Sequence, residues 1–172
     1  MKNRALVLLL GVFLLTRAEA APPDGPISRE KALQAIETFQ KTPASSEGMT
    51  AASTLMSFAE KSTAVRIALS KTVVPWVKSQ EAPDADTRTM LMSAYVAGDL
   101  AAQLKSGRPE DDVYAGWKQV LATYAQLHAI NPTVKIAEID ALKDKETAGT
   151  LKAYAAEVQA RQKTESFAPK PK

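Results

Sequence analysis

The chain predicts an all-α fold, a helical bundle or irregular array of six to seven helices around a long central hairpin. Apolar residues recur at helical spacing through most of positions 28–163, and the breaks between these runs fall at glycine, proline and capping residues. No run alternates apolar and polar residues between hairpin signals, which argues against strands.

The hairpin runs from Asp84 to Ile130, as two helices at about 84–105 and 109–130. With about 100° per residue, Met90, Ala94, Ala97, Ala101 and Leu104 fall on one line of the first helix, beside Leu91, Gly98 and Ala102. Only Arg88, Asp99 and Gln103 form a polar ridge, so this helix is expected to be covered on most sides. The second helix carries Val113, Trp117, Val120, Leu121, Tyr124, Leu127 and His128 on one face. Asp111, Lys118, Gln119, Ala122 and Gln126 lie opposite, the pattern of a helix with one side in water.

Gly107 suits the left-handed residue that ends a helix, and Pro109 suits a first helical turn. Glu110, Asp111 and Asp112 bring negative charge to the positive end of the second helix. The small residues Ala94, Ala97, Gly98 and Ala101, with Gly116 across the turn, permit close approach of the two helices.

Ahead of the hairpin, residues 1–20 read as a secretory signal peptide cleaved after Ala20. Lys2 and Arg4 form the basic start, Ala5 to Leu15 the apolar run, and Ala18-Glu19-Ala20 the cleavage site. The apolar run is shorter than the roughly 20 residues that span a bilayer, so no stable membrane anchor is expected after cleavage. Positions 21–27 form a proline-rich start, and 28–163 a single helical domain. Within it, Ser28 is placed to cap a helix bearing Leu33, Ile36 and Phe39, which Thr42-Pro43 ends. A second helix is expected over Ala44–Glu60, with Ala52, Leu55, Met56 and Ala59 on one face. Ser62 predicts the cap of a third through Val65, Ala68 and Leu69, broken at Val74-Pro75, with the loop 78–82 beyond.

After Asn131-Pro132, a short helix is expected around Val134, Ile139 and Leu142. A last one carries Leu151, Tyr154, Ala155 and Val158, nearly continuous with it across Lys143–Gly149. Positions 164–172 are expected to be a disordered proline-lysine tail, since alternating prolines forbid a helix.

A tetratricopeptide-like α-solenoid is the alternative architecture. Setting Pro132 on the terminal proline of that motif leaves Val120 and Ala115 where a small residue and a glycine belong. Helices of about 22 residues, roughly 33 Å long, also overrun a repeat of about 34 residues.

Removing Lys2, Arg4, Arg17 and Glu19 from 22 basic and 19 acidic residues leaves 19 and 18, so the mature chain is close to neutral. That balance argues against nucleic acid, which requires a clustered basic face. The chain has no cysteine, which excludes disulfides, thiol catalysis and cysteine-held zinc. His128 is the only histidine, and alone it does not make a histidine-rich metal site. Met90 and Met92 spell a copper(I) pair, yet two residues apart on a helix they point away from each other. There is no Cys-x-x-Cys-His run for haem attachment. No cofactor and no catalytic residue is assigned, and the balance leans against an enzyme.

Two sets of side chains remain. Val74, Pro75, Trp76 and Val77 form an apolar run in a proline-broken segment, an interaction patch if it faces water and otherwise cover for the end of the hairpin. Arg88, Asp99 and His128 are the polar residues placed to line a pocket between helices. The function expected first is an exported, periplasmic or extracellular, non-catalytic protein or peptide interaction or scaffold module. A small-ligand binder or enzyme with an interhelical pocket, and a structural subunit of an envelope assembly, are the alternatives.

Overall fold

The structure is a computed structural model that describes residues 27–78 and 84–167. The expected signal peptide, most of the proline-rich start, the loop after Lys78 and positions 168–172 lie outside the described residues. The described chain is helical with no strand.

Helix α1, Arg29–Lys41, begins at Ser28, whose hydroxyl accepts from the Lys31 N–H at 3.2 Å. It buries Ala32, Ala35, Ile36 and Phe39. Helix α2, Ser46–Lys61, starts in the same way from Ser45 and buries Ala51, Ala52, Leu55 and Phe58. These two pack on each other and on α3, Ala85–Ser106, which Asp84 caps by accepting from the Thr87 N–H at 2.6 Å. Helix α3 touches α1, α2 and α4, so it is covered on nearly every side, as its narrow polar ridge implies. Gly107 ends it at φ 68°, in the left-handed region.

Helix α4, Val113–Ile130, starts later than Pro109 suggests. Asp112 is the cap and accepts from the Ala115 N–H at 2.9 Å, so residues 108–111 form a connecting loop. An aspartate is the stronger start signal, because its carboxylate satisfies a helix N–H that proline leaves untouched. Helices α5, Ala137–Thr147, and α6, Leu151–Phe167, pack against α4 and each other. Gly149, at φ 70°, separates them, so they do not run on as one helix. Helix α6 continues through Phe167, past the expected start of the tail at 164.

The main departure is at 62–74, where no third helix forms. Ser62 instead ends α2, the chain is irregular through Ser70, and a turn leads into a 3-10 helix at Pro75–Lys78. Thr63, Val65, Ile67, Thr72, Val73 and Val74 are β-branched and stiff at χ1, which lowers helix propensity locally. The 3-10 helix packs against α3 and α5.

Candidate functional site

The connection between α3 and α4 is the place where polar groups go deepest into the molecule. Asp99 is 0 % exposed near the C-terminal end of α3. Its Oδ1 accepts from the Asp112 N–H at 2.8 Å and from Gln103 Nε2 at 2.8 Å. Gln103, one turn further along and also buried, turns its amide to the segment after α2. Its Oε1 accepts from the Arg66 N–H at 2.9 Å, and its Nε2 donates to the Arg66 carbonyl at 2.6 Å.

Two residues on, the pattern repeats with other partners. The Ala68 N–H donates to Asp111 Oδ1 at 2.8 Å, and Gln162 of α6 donates to the Ala68 carbonyl at 3.1 Å. Gln162 also donates to Ser70 Oγ at 3.1 Å, and Gln159 Nε2 donates to the Asp111 carbonyl. Both backbone groups of residues 66 and 68 therefore face side-chain amides and a carboxylate. That two-residue repeat is the geometry of an extended chain. A non-helical backbone inside the fold must find partners for its polar groups, and here Gln103, Asp111 and Gln162 supply them.

A cleft of about 460 Å³ opens between this segment, the 108–111 loop and α6. Arg66, Arg108 and Lys163 bring positive charge to it, Glu110 and Asp111 negative charge, and Ala68 and Pro109 apolar surface. A second cleft, of about 380 Å³, shares Arg108, Glu110, Asp111 and Gln159 and adds Asp112, Tyr114 and Lys152. Lys163 pairs with Glu110, and the resulting hydrogen bond and charge hold the Glu110 carboxyl below the usual carboxylate range. Among the described residues, neither Arg66 nor Arg108 forms an ion pair, although the Arg108 charge also helps to lower the Glu110 carboxyl.

The electrostatics of the interior run the other way. Burial pushes the Asp99 carboxyl up to about 7, the Asp111 charge adds to that rise, and the hydrogen bonds from Gln103 and Asp112 oppose it. Burial also raises the Tyr95 phenol, helped by the nearby charges of Asp99, Asp111 and Asp112. Asp99 Oδ2 and the Tyr95 oxygen are both buried with no hydrogen-bond partner among the described residues.

The residues singled out from sequence fall in three separate places. Trp76 is 0 % exposed and Val74 is buried, Pro75 is half-buried, and of that run Val77 alone is exposed. Of the two readings of Val74, Pro75, Trp76 and Val77, the exposed patch is not formed and the run covers the hairpin. The 3-10 helix turns the indole inward, where it covers the hairpin, while the Trp117 indole N–H donates to the Val73 carbonyl at 2.7 Å.

Arg88, Asp99 and His128 do not share a pocket. Arg88 lies eleven residues before Asp99 on α3, about 16 Å along its axis. His128 is exposed on α4, edge-on to the Tyr124 ring at 6.1 Å, in a groove of about 480 Å³ with Asp140, Lys143 and Glu146. Asp99 alone lies at the clefts' inner wall, through its bonds to Asp112 and Gln103. Arg66, Arg108, Asp111, Gln159 and Gln162 are the site residues that sequence reasoning misses. Val65, Ile67 and Leu69 at two-residue spacing are the one signal of an extended chain here, and Val65, Ala68 and Leu69 fit a helix equally well.

Among the described residues no three His, Asp or Glu side chains are arranged to hold a metal ion, and no helix is long and apolar enough to cross a membrane. The arrangement suits recognition of negative charge. Arginine presents a planar fork of donors that matches a carboxylate, and two such groups on one cleft hold an anionic ligand in a defined orientation. No protein-family model, curated protein or solved structure matches the chain.

Proposed function

We propose that this protein is an exported, non-catalytic binding module that holds an acidic peptide segment of a partner in the cleft between residues 66–68, the 108–111 loop and α6. One observation carries the reading: Arg66 and Arg108 line the same cleft and neither forms an ion pair among the described residues. Arginines left unpaired on a concave surface are the groups an acidic ligand uses. Ala68 and Pro109 between them offer apolar surface for the aliphatic stem of a glutamate, which favours a peptide over a bare inorganic anion. The basic, apolar and small-residue order of positions 1–20 supports export.

The test uses two fluorescent peptides of equal length, one rich in glutamate and one rich in lysine, followed by anisotropy. The glutamate peptide is expected to bind, with affinity falling as salt rises, and the lysine peptide is not. Arg66→Ala with Arg108→Ala is expected to weaken binding by about tenfold or more, the loss of two charge-assisted contacts. Equal affinity for both peptides, or binding untouched in the double variant, would overturn the reading.

A further inference from the structure

We infer that Asp99 and Asp111 share a single proton, and that this proton is a latch joining the two walls of the cleft. The inference names a regulation of the site proposed above and rests on that reading for its effect on ligand; the latch itself does not depend on any ligand.

The geometry leaves one place for the proton. Asp99 Oδ1 already accepts two hydrogen bonds, whereas Oδ2 is buried with no partner. Asp111 is the chain neighbour of Asp112, whose N–H Asp99 Oδ1 holds, so it stands beside Asp99, and its own Oδ1 is occupied by the Ala68 N–H. Asp99 is fully buried and the half-buried Asp111 stands beside it, so desolvation and a neighbouring negative charge both disfavour the ionised form of Asp99. A proton on Asp99 Oδ2 turns the orphan acceptor into a donor toward Asp111, and one ionic charge remains for the pair. The upward displacement of the Asp99 carboxyl by burial and by Asp111 agrees with this arrangement.

Among the described residues, no cation relieves the pair instead. On α3 the facing titratable group is the buried Tyr95 phenol. From the start of α4 it is Asp112, whose Oδ1 is engaged by the Ala115 N–H. The extended segment presents the backbone of Arg66, with the guanidinium exposed, and α6 presents the neutral amides of Gln159 and Gln162. Arg108, Glu110 and Lys163 stand exposed at the rim, Lys163 engaged by Glu110. Lys152 of α6 and the half-buried Tyr114 of α4 line the neighbouring cleft.

The mechanical consequence follows from what each carboxyl holds. Asp99 holds the Asp112 N–H and, through Gln103, residue 66; Asp111 holds residue 68. The shared proton closes a continuous chain of hydrogen bonds from the loop wall to the extended wall. Its loss places a second negative charge between them and pushes the walls apart. An acidic ligand meets one charge fewer and a closed cleft when the proton is present, so binding strengthens toward lower pH. By linkage, the ligand in turn raises the pH at which the proton leaves.

The decisive experiment is a pH titration of the ¹⁵N-labelled protein by NMR from about pH 5 to about pH 9. The Ala68 and Asp112 amides, held by different carboxylates, are expected to shift with one common midpoint and to exchange faster above it. Asp99→Asn, whose amide donates to Asp111 at every pH, is expected to remove that midpoint at both amides and keep both protected. Asp111→Asn serves as the second variant and is expected to abolish the common midpoint as well. Flat Ala68 and Asp112 resonances, or a midpoint common to both amides that survives in either folded variant, would overturn the latch. With the glutamate-rich peptide, affinity is expected to fall by about threefold or more across the midpoint in the wild type and to lose that dependence in Asp99→Asn. A common midpoint without peptide binding supports the latch and removes the cleft reading. Peptide binding without the midpoint does the reverse.

Discussion

Neighbouring stretches of the α3–α4 hairpin are held by opposite means. Along the seam, Gly98 lies against the Ala115 carbonyl and Gly116 against the Tyr95 ring, with no space for even a methyl group at either position. From the next residue toward the loop, Asp99, Gln103 and Asp111 replace apolar contact with hydrogen bonds to backbone groups of the loop and of an extended segment. The seam is limited by volume, since neighbouring backbone and ring atoms leave no free space. The polar knot is limited by charge and by donor count, since every buried group there needs a specific partner. The cleft sits where the fold changes its means of holding itself together. A surface fixed by hydrogen bonds can respond to a proton, and one fixed by close packing cannot.

The largest separation of the two regions is expected from pH. Asp99 titrates near 3.8 when unperturbed and is raised to about 7 in the folded chain. Between those values the folded state binds a proton that the unfolded state does not, so stability falls as pH rises. The contribution is fully present below the ordinary carboxylate value and is lost as pH passes through about 7. Its size is on the order of 4 kcal/mol at most, from about 1.4 kcal/mol per unit of displacement. Asp99→Asn is expected to remove that slope and to be more stable than the wild type above the folded value. Urea unfolding at several pH values checks this, and a variant whose stability runs parallel to the wild type would break the distinction between knot and seam.

The same contrast explains what the sequence makes legible. Helix ends marked by local chemistry are readable, as at Ser28 and Gly107, because cap and helix are neighbours in the chain. The hairpin's apolar phase is readable for the same reason, and so is the close approach at Gly98 and Gly116. The stretch 62–74 is not, because Val65, Ala68 and Leu69 fit a helix while Val65, Ile67 and Leu69 fit an extended chain. The choice rests on Gln103, Asp111 and Gln162, which lie 37, 43 and 94 residues away from their partners. Pro109 misleads because a better start signal, Asp112, follows it. Of the site, Asp99 stands out as a polar residue in a buried helix. Arg66 and Arg108 carry no mark of their own, since only the folded chain brings position 66 beside position 108.

Truncating the central amide tests the knot by subtraction. Gln103→Ala orphans the Arg66 N–H and carbonyl and takes one donor from Asp99. With buried groups left unsatisfied, a loss of about 3 kcal/mol is expected. Hydrogen exchange should locate it, with the Arg66 amide exposed before the helices open. If exchange instead rises uniformly along α3 and α4, the glutamine supports the whole hairpin and the knot is not a separate unit.

The smallest expected effect belongs to the seam, and its sign is what matters. In an open helix, replacing glycine by alanine gains about 1 kcal/mol of helix propensity. At Gly98 the new methyl meets the Ala115 carbonyl, which is backbone and does not swing aside; at Gly116 it meets the ring of Tyr95, which is fully buried. Overpacking of that kind costs about 1–3 kcal/mol, so the propensity gain is cancelled or reversed. Gly98→Ala is therefore expected to destabilise by about 1 kcal/mol, with Gly116→Ala milder because a side chain yields more readily than a carbonyl. Neither variant is expected to change the pH at which Ala68 and Asp112 titrate, because neither alters charge or donors in the knot. Urea denaturation gives the stability and the NMR titration gives the midpoint. A seam variant that moved the midpoint would show that helix spacing, and not the hydrogen-bond chain alone, sets the distance between Asp99 and Asp111.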